Sequence, residues 1–215
     1  PRAARRQSPA EGSEAPELVV ILPRAFYARP TLEVARDLVG HVLVHETRAG
    51  VAAGVIVEVE AYIGESDPAC HAAPGPTRRN APLYGAPGVA YVYLNYGMHY
   101  LVNAVTEPAG SPAAVLIRAL EPIEGEALMR RRRARGTARP ATAFATAELC
   151  RGPGNLTRAL GISLAENRRD LTRGSLRIED RGLPRRDLAW SRRIGISVGV
   201  ETEWRVFAAG SSAVS

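Results

Sequence analysis

The β-type run over residues 51–63, VAAGVIVEVEAYI, constrains the fold more than any other feature of the chain. Valine, isoleucine and tyrosine make up much of it, and successive side chains of a strand point to opposite faces. Glu58, Glu60 and Tyr62 therefore share one face. On this pattern alone, the two glutamates fit a solvated face of a sheet. The preceding run HVLVHET, residues 41–47, is separated from it by a short turn, so the two runs predict an antiparallel hairpin.

The remaining segments predict one domain that mixes helices with an antiparallel sheet. Residues 1–16 are rich in Pro, Ala, Ser, Gly and charge and predict a disordered tail, which leaves 17–215 for a single α/β mixed (α+β) domain. Residues 64–88 form a long Pro- and Gly-rich loop, and loops of this length are usually functional or disordered. Helices are predicted over 31–40, 122–135 and 147–163, the last of which is broken at a Gly-Pro-Gly, and an exposed linker is predicted over 136–145. Further strands are predicted within 89–105, on both sides of a turn near Tyr96-Gly97, and over 112–120, 193–200 and 204–210.

The chain is basic, with a formal net charge of +6 and a pI near 9.9. This balance favours a polyanionic partner, although it serves equally well as a solubility device. All 28 basic residues are arginine. Because the guanidinium group stays protonated and no lysine amine is present for Schiff-base chemistry, a lysine-dependent lyase or aldolase is excluded.

Cysteine spacing and hydropathy indicate the environment of the chain. Cys70 and Cys150 are far apart and have no metal-type spacing, so we expect reduced thiols in a cytosolic protein. No apolar run reaches the roughly 18 residues of a membrane span, so no membrane association is expected. For a bacterial protein, these features predict a cytoplasmic location close to the nucleoid.

Aromatic residues are concentrated in the middle of the chain, with six of the seven tyrosines between Tyr62 and Tyr100. Tyr91 and Tyr93 share a strand face, a pattern typical of packed rings with polar tips. Tyr96 lies at the predicted turn and would project from a hairpin tip. It fits either a half-buried turn residue or a wedge that enters a nucleic-acid duplex and fills the space of an extruded base.

Arg118 stands at the end of the apolar run AAVLI and is predicted to be buried. A buried guanidinium needs an acidic or phosphate partner. Glu60 is the candidate, because its strand runs directly into the loop that carries His71. A carboxylate held beside an arginine is also well placed to orient a water molecule.

Seven segments taken together resemble the alkyladenine (3-methyladenine) DNA glycosylase family, which excises alkylated and deaminated purines from DNA. The similarity covers about residues 22–215, and several of the segments run for ten residues or more. The segments are ARDLVGHVLV, IVEVEAYIGESDPACHA, TRRN, PGVAYVYLNYGMHYLVNAV, VLIRALEP, LCRGPGNLTRALGI and RRIGISVGV. The resemblance implies a curved antiparallel sheet flanked by helices and a monofunctional enzyme that leaves an abasic site.

The resemblance also implies a role for individual residues. Glu60 matches the general base that activates the attacking water, and Arg118 matches the arginine that helps to hold this water and a backbone phosphate. The residues that match the walls of the pocket for the flipped base are Tyr62, His71, Tyr93 and Asn103, the last of which opposes the 2-amino group of guanine. The residues that match DNA contacts are the intercalating Tyr96 and Met98. The loop arginines Arg78 and Arg79 are, by their charge, candidates to neutralise backbone phosphates. The implied partner is double-stranded DNA with damaged purines, bound by a monomer with no metal or organic cofactor.

Some positions depart from the family pattern, and other functions stay open. The segment before Trp204 is short, Ser212 replaces a common proline, and Asn155 replaces a frequent basic residue. The Arg130–Arg133 run fits a solvated helix end as well as a DNA contact. A non-catalytic binder of damaged DNA is the main alternative, and a nucleosidase acting on free nucleosides is a third.

Overall fold

A computed structural model of the protein describes residues 19–215, so the tail expected over 1–16 lies outside the described residues. The described chain forms one nine-stranded sheet, in which every strand pairing is antiparallel. Its strands are β1 (Val20–Ile21), β2 (Val42–Thr47), β3 (Gly50–Ile63), β4 (Ala90–Asn95), β5 (His99–Val105), β6 (Ala113–Glu124), β7 (Leu176–Asp180), β8 (Leu188–Ser191) and β9 (Arg205–Ala208). The helices are α1 (Arg24–Tyr27), α2 (Thr31–Leu38), α3 (Glu126–Ala134) and α4 (Pro153–Leu160).

The sheet is curved, and β3 is the strand at which it divides. The order is β1-β7-β2-β3-β6-β5-β4, with β9 paired to both β3 and β8. β6 follows one edge of β3, while β2 and β9 share the other edge, at Gly50–Val55 and Glu58–Glu60 respectively. The register with β6 shifts on both sides of Glu58 and skips Arg118. Since such irregularities bend a strand and re-aim side chains, the division places these two residues against each other.

The sheet carries a large core and two smaller clusters, one of them beneath the 64–88 loop. Helices α2 and α4 pack on β3, β5 and β6, and their apolar residues join the large core around Leu43, Ile56 and Ile117. The cluster beneath the loop forms where the 64–88 loop lies on β4 to β6, and it includes Cys70, Leu83 and Tyr91. The predicted fold class, a single α+β domain with a curved antiparallel sheet, is therefore confirmed. The cluster beneath the 64–88 loop is the part of the sheet whose side chains face a candidate site.

The expected strand over 193–200 is wrong. This segment is irregular, and the strand in this region is β8, which ends at Ser191. Gly195 and Gly199 adopt φ of 77° and 62°, in the left-handed region, which interrupts an extended backbone. The apolar alternation of RIGISVGV is therefore not that of a strand. The solvated face considered for Glu58 and Glu60 is wrong as well, because both residues are 0% exposed.

Two helix boundaries also differ from the sequence interpretation. Residues 122–124 continue β6, and α3 begins at Glu126 after Gly125, whose φ of 76° ends the strand. The segment before the Gly-Pro-Gly break contains only a short 3-10 turn, Thr146–Glu148, so α4 alone is helical there. This turn ends at Glu148, directly before the buried residues Leu149 and Cys150. Strands β1, β7 and β8 had no prediction.

Candidate active site

A cavity of about 360 Å³ opens between β3 to β6, the 64–88 loop and the irregular 193–200 segment. The cavity brings together all the aromatic residues that the family resemblance assigns to a base pocket. The expected site residues that line it are Tyr62, His71, Tyr93, Asn103, Arg118 and the turn residue Tyr96. Cavities of this size and mixed apolar and polar lining are typical of small-ligand sites. A flat planar ring system can therefore enter between the tyrosines.

Glu60 lies behind the wall of this cavity, where two hydrogen bonds and one ion pair hold its carboxylate. The Tyr62 hydroxyl donates to Oε2 at 2.8 Å, and the backbone N–H of Ile194 donates to Oε1 at 2.7 Å. Nη1 of Arg118 lies 3.2 Å from Oε1. A carboxylate offers about four acceptor positions, so these two hydrogen bonds leave acceptor capacity for a water molecule. Because the residues that hold Glu60, namely Tyr62, Ile194 and Arg118, all line the cavity, such a water would lie at the cavity wall.

Arg118 is buried as predicted, but its shortest ionic contact is to Glu58. Nε of Arg118 donates to Oε1 of Glu58 at 2.8 Å. Glu58 also accepts bonds from Arg205 Nε at 2.7 Å, from Ser215 N at 2.7 Å and from Ser215 Oγ at 2.9 Å. Burial disfavours the charge of Glu58, but the Ser215 N–H and the two guanidiniums outweigh it and keep its pKa below the ordinary value. Glu58 therefore remains ionised and fixes the arginine.

Glu58 and Ser215 are site residues that sequence reasoning missed. The signal for Glu58 was its position two residues before Glu60 on one strand face, which was noted but not given a role. Ser215 had no signal, because its contacts join residues 157 positions apart. Nη2 of Arg118 donates to the Ser215 hydroxyl at 3.1 Å, so both residues contact the guanidinium that reaches the cavity.

Tyr62 is held on its other side by a buried ion pair. The Arg193 guanidinium carbon lies 4.8 Å from the Tyr62 ring centroid, and Asp67 binds this guanidinium at 2.6 and 2.8 Å. Burial and the neighbouring Glu60 raise the pKa of Tyr62, so the phenol keeps the proton that it donates to Glu60. The Asp67–Arg193 pair also anchors the chain at Ile194. It had no sequence prediction, since the two residues are far apart along the chain.

His71, Tyr91 and Tyr93 form the opposite wall. The His71 ring lies 4.4 Å from Tyr93 at an interplanar angle of 62°, and Nδ1 is 2.8 Å from the Tyr91 hydroxyl. Burial, with a smaller contribution from Arg79, lowers the pKa of His71, so the imidazole is neutral at neutral pH. Asn103 is also buried here, and its Nδ2 donates to the Tyr91 carbonyl at 3.0 Å. Its amide is thereby fixed at the cavity wall.

The β4–β5 hairpin carries Tyr96 and Met98 at its tip, and they are 83% and 72% exposed. Tyr96 and Gly97 have φ of 48° and 69°, and Met98 N donates to the Asn95 carbonyl at 3.0 Å. Two successive residues with positive φ are the requirement of a type I′ hairpin turn, which is strained for a tyrosine. The half-buried alternative for Tyr96 is therefore excluded in this structure, and its ring projects beside the cavity.

The arginines that were considered as DNA contacts lie in different environments. Arg79 lies over the Tyr93 ring, at 5.5 Å from the centroid, and its Nη2 donates to the Leu94 carbonyl at 3.2 Å. In the Arg130–Arg133 run, Arg132 donates to the Leu160 carbonyl at 2.7 Å and Arg133 donates to the Glu148 carbonyl at 2.8 Å. These bonds join α3 to neighbouring segments, so neither a solvated helix end nor a DNA contact describes these two residues.

Two of the three positions that depart from the family pattern lie near this site. At Trp204, the Arg193 guanidinium carbon lies 5.1 Å from the centroid of the tryptophan ring. Asn155, in the first turn of α4, donates to the Arg151 carbonyl at 2.7 Å, next to the cavity residue Pro153. Ser212 is exposed.

Among residues 19–215, no group of three or more His, Cys, Asp or Glu side chains is arranged to hold a metal ion. Within the same residues, none of the helices has the length and hydrophobicity that crossing a bilayer requires.

Comparison with known proteins gives a consistent result. Residues 25–212 match the family model described as methylpurine-DNA glycosylase (MPG). A protein of Rubrobacter xylanophilus is 51% identical over 175 residues, which is 81% of this chain and 86% of the relative. Proteins of Methanocella arvoryzae and Bradyrhizobium diazoefficiens are 49% and 45% identical, over 91% and 97% of this chain and 96% and 97% of the relatives. Each of the three carries the name "Putative 3-methyladenine DNA glycosylase". With most of its length matched in this way, the chain belongs to the methylpurine-DNA glycosylase family.

Proposed function

We propose that this protein is a monofunctional DNA repair glycosylase that takes alkylated or deaminated purines out of duplex DNA and hydrolyses their N-glycosidic bond. The substrates belong to the 3-methyladenine, 7-methylguanine, hypoxanthine and ethenoadenine class. The observation that carries the proposal is the Glu60 carboxylate, which two hydrogen bonds and the ion pair with Arg118 hold directly behind an aromatic cavity. The enzyme acts as a monomer and needs no cofactor.

In the proposed reaction, Glu60 acts as the general base. Its remaining acceptor position binds a water molecule, and it takes a proton from this water as the oxygen attacks C1′ of the sugar. The bond between C1′ and the purine nitrogen breaks, and its electron pair leaves with the purine. A cationic alkylpurine departs as a neutral base, whereas a neutral lesion needs a proton on the leaving purine. Arg118 orients the water through Nη1, which lies 3.2 Å from Oε1 of Glu60.

The cavity and the hairpin supply the binding steps of this proposal. The flipped purine stacks between Tyr62 on one side and His71 with Tyr93 on the other, while Asn103 opposes an exocyclic 2-amino group. Tyr96 enters the duplex and fills the space that the base leaves, which offsets part of the few kcal/mol that unstacking costs. Its exposed position at the hairpin tip supports this role.

A binder that senses damaged DNA without catalysis is the second candidate. It would need the cavity and Tyr96, but it would have no use for a carboxylate held where it can activate a water molecule beside the cavity. A nucleosidase would need neither the exposed Tyr96 nor the net charge of +6. The geometry around Glu60 therefore favours the glycosylase.

The test measures base release in single-turnover reactions with duplexes that carry hypoxanthine, ethenoadenine or 3-methyladenine. Wild type should release the base and leave an abasic site with no strand cut before alkali. Glu60→Gln should slow release by about a hundredfold or more. Glu65→Gln, in the exposed loop after β3, is the matched control and should retain activity. Tight binding without release by wild type would establish the binder instead, and unchanged release by Glu60→Gln would remove Glu60 as the base.

A further inference from the structure

The buried charges beside the base cavity cancel. The buried carboxylates that contact cavity-lining residues are Glu58, Glu60 and Asp67. The buried arginines that lie at ion-pair distance from them are Arg118, Arg193 and Arg205. Three negative and three positive groups face one another at short range. A net charge that acts on a purine bound in the cavity must therefore come from a residue outside this group.

Arg79 supplies such a charge. Its guanidinium lies 5.5 Å from the centroid of the Tyr93 ring. Tyr93 lines the cavity, whereas Arg79 is not among the lining residues and contacts the cavity wall through this ring. In the described part of the chain, the ion pairs around this site involve other arginines and none includes Arg79. The positive charge behind Tyr93 is therefore not balanced by a carboxylate.

His71, on the same wall, adds no charge of its own. Burial and, to a smaller extent, Arg79 lower its pKa, so the imidazole stays neutral at neutral pH. Tyr91 also keeps its proton, because burial raises its pKa to about 12. The wall on which a purine would stack therefore consists of neutral rings with one guanidinium behind them.

We propose that Arg79 is a specificity-determining residue that slows the release of purines with a fixed positive charge relative to neutral purines. This inference rests on the proposed function, since it requires a purine stacked on the cavity side of Tyr93. The neutral class comprises deaminated and etheno-bridged purines, and the cationic class comprises purines alkylated at a ring nitrogen.

The distances support an effect of useful size. A purine stacked on Tyr93 lies within about 9 Å of the Arg79 guanidinium, where like charges near a protein surface repel enough to disfavour, several-fold, the entry of a cationic purine into the cavity, the step that precedes its release from bound DNA. The aromatic face attracts a cation, but the Arg79 guanidinium already interacts with the same ring. A neutral purine experiences the stacking without this repulsion. Loss of the Arg79 charge should therefore favour the cationic lesion selectively.

The experiment compares release of 7-methylguanine and hypoxanthine from duplexes of one sequence, at saturating enzyme and at a pH where 7-methylguanine keeps its charge. Saturation removes differences in DNA affinity from the comparison. Arg79→Gln should raise the ratio of the 7-methylguanine rate to the hypoxanthine rate about fivefold. Arg79→Lys retains a cation and should keep the ratio close to that of wild type. Arg78→Gln removes the same charge from the neighbouring exposed position and should leave the ratio unchanged, whatever it does to affinity.

The outcomes separate this inference from the proposed function. A ratio that rises in Arg79→Gln and in neither control supports the inference. An unchanged ratio, or equal slowing of both lesions as expected for a simple phosphate contact, overturns it and leaves the glycosylase in place. Release of neither base by wild type overturns the proposed function and this inference together.

Discussion

Arg193 and Asp67 form a two-point ion pair from which water is excluded: Nη1 lies 2.6 Å from Oδ2, Nη2 lies 2.8 Å from Oδ1, and the side chains are 0% and 1% exposed. The same guanidinium donates to the Ala61 and Gly199 carbonyls and lies against Tyr62. The pair therefore joins the start of the 64–88 loop, β3 and the irregular 193–200 segment in one place.

Removing the charge of Asp67 should destabilise the protein strongly. Asp67→Asn keeps the shape of the side chain but leaves a buried guanidinium without its counter-ion, which costs about 3–5 kcal/mol. Urea unfolding should show a lower midpoint with a similar slope. Glu46→Gln, which breaks the more exposed pair with Arg177, is the control and should cost less than about 1 kcal/mol. Equal losses in the two variants would mean that the buried pair is not special.

The hydroxyl of Ser215 should support catalysis through Arg118. Ser215→Ala removes the bond to Glu58 at 2.9 Å and the bond from Arg118 at 3.1 Å, but it retains the backbone bond to Glu58. Since Arg118 then has one acceptor fewer, we expect base release to slow by about tenfold, at a cost in stability of about 1 kcal/mol. Single-turnover rates at saturating enzyme give the first quantity, and urea unfolding gives the second.

Ser212→Ala, at an exposed position three residues earlier, is the matched control for Ser215→Ala and should change neither quantity. Ser215→Thr retains the hydroxyl and should restore the rate. A variant Ser215→Ala that loses stability while its rate of release stays at the wild-type value would show that Ser215 has only a structural role.

Tyr96 should trade stability for activity. Its φ of 48° is unfavourable for a residue with a side chain, by about 1–2 kcal/mol, and glycine removes this penalty. Because the Tyr96 ring is 83% exposed, little packing is lost. Tyr96→Gly should therefore unfold at the same or a higher urea concentration than wild type, yet release bases from duplex DNA at least about tenfold more slowly.

Single-stranded oligonucleotides carrying the same lesion provide the control for Tyr96. A wedge acts on a paired and stacked base, so the loss in Tyr96→Gly should be much smaller on single strands. The same loss on both substrates would place Tyr96 in the chemistry of the cavity instead of in duplex opening.

Local patterns predicted those parts of the fold and site that depend on residues close together in the sequence. Strand β3, the β4–β5 turn at Tyr96-Gly97 and helix α2 follow from alternation, turn chemistry and an apolar stripe. The burial of Arg118 followed from its apolar run. The pairing of Arg118 with Glu60 was predicted as well. The contacts of Glu58 with Ser215 and of Asp67 with Arg193 were not, since these residues meet only after the sheet has closed. The 193–200 segment was misassigned because apolar alternation does not show which glycines adopt positive φ.

The buried histidines should make stability depend on pH below neutrality. Burial lowers the pKa of both His45 and His71 in the folded protein, whereas each titrates near the ordinary value of about 6.5 when unfolded. As the pH falls below about 6.5, the unfolded chain takes up protons that the folded protein does not, so the free energy of unfolding decreases. Glu58 acts in a separate window: its lowered pKa means that its contribution is present above its unfolded pKa, near about 4.3, and is lost only as the pH falls through the still lower folded value.

Urea unfolding between about pH 7.5 and 5 isolates the two histidines, because carboxylates contribute little in this range. We expect a continuous loss of stability across the lower half of the range. The variant His71→Gln should lose part of this dependence, since glutamine has no proton to gain in the unfolded state. His41→Gln, at a partly exposed histidine whose Nδ1 contacts the Asp37 carbonyl, is the control. A slope that is the same in His71→Gln as in wild type would show that protonation of His71 does not differ between the folded and unfolded states.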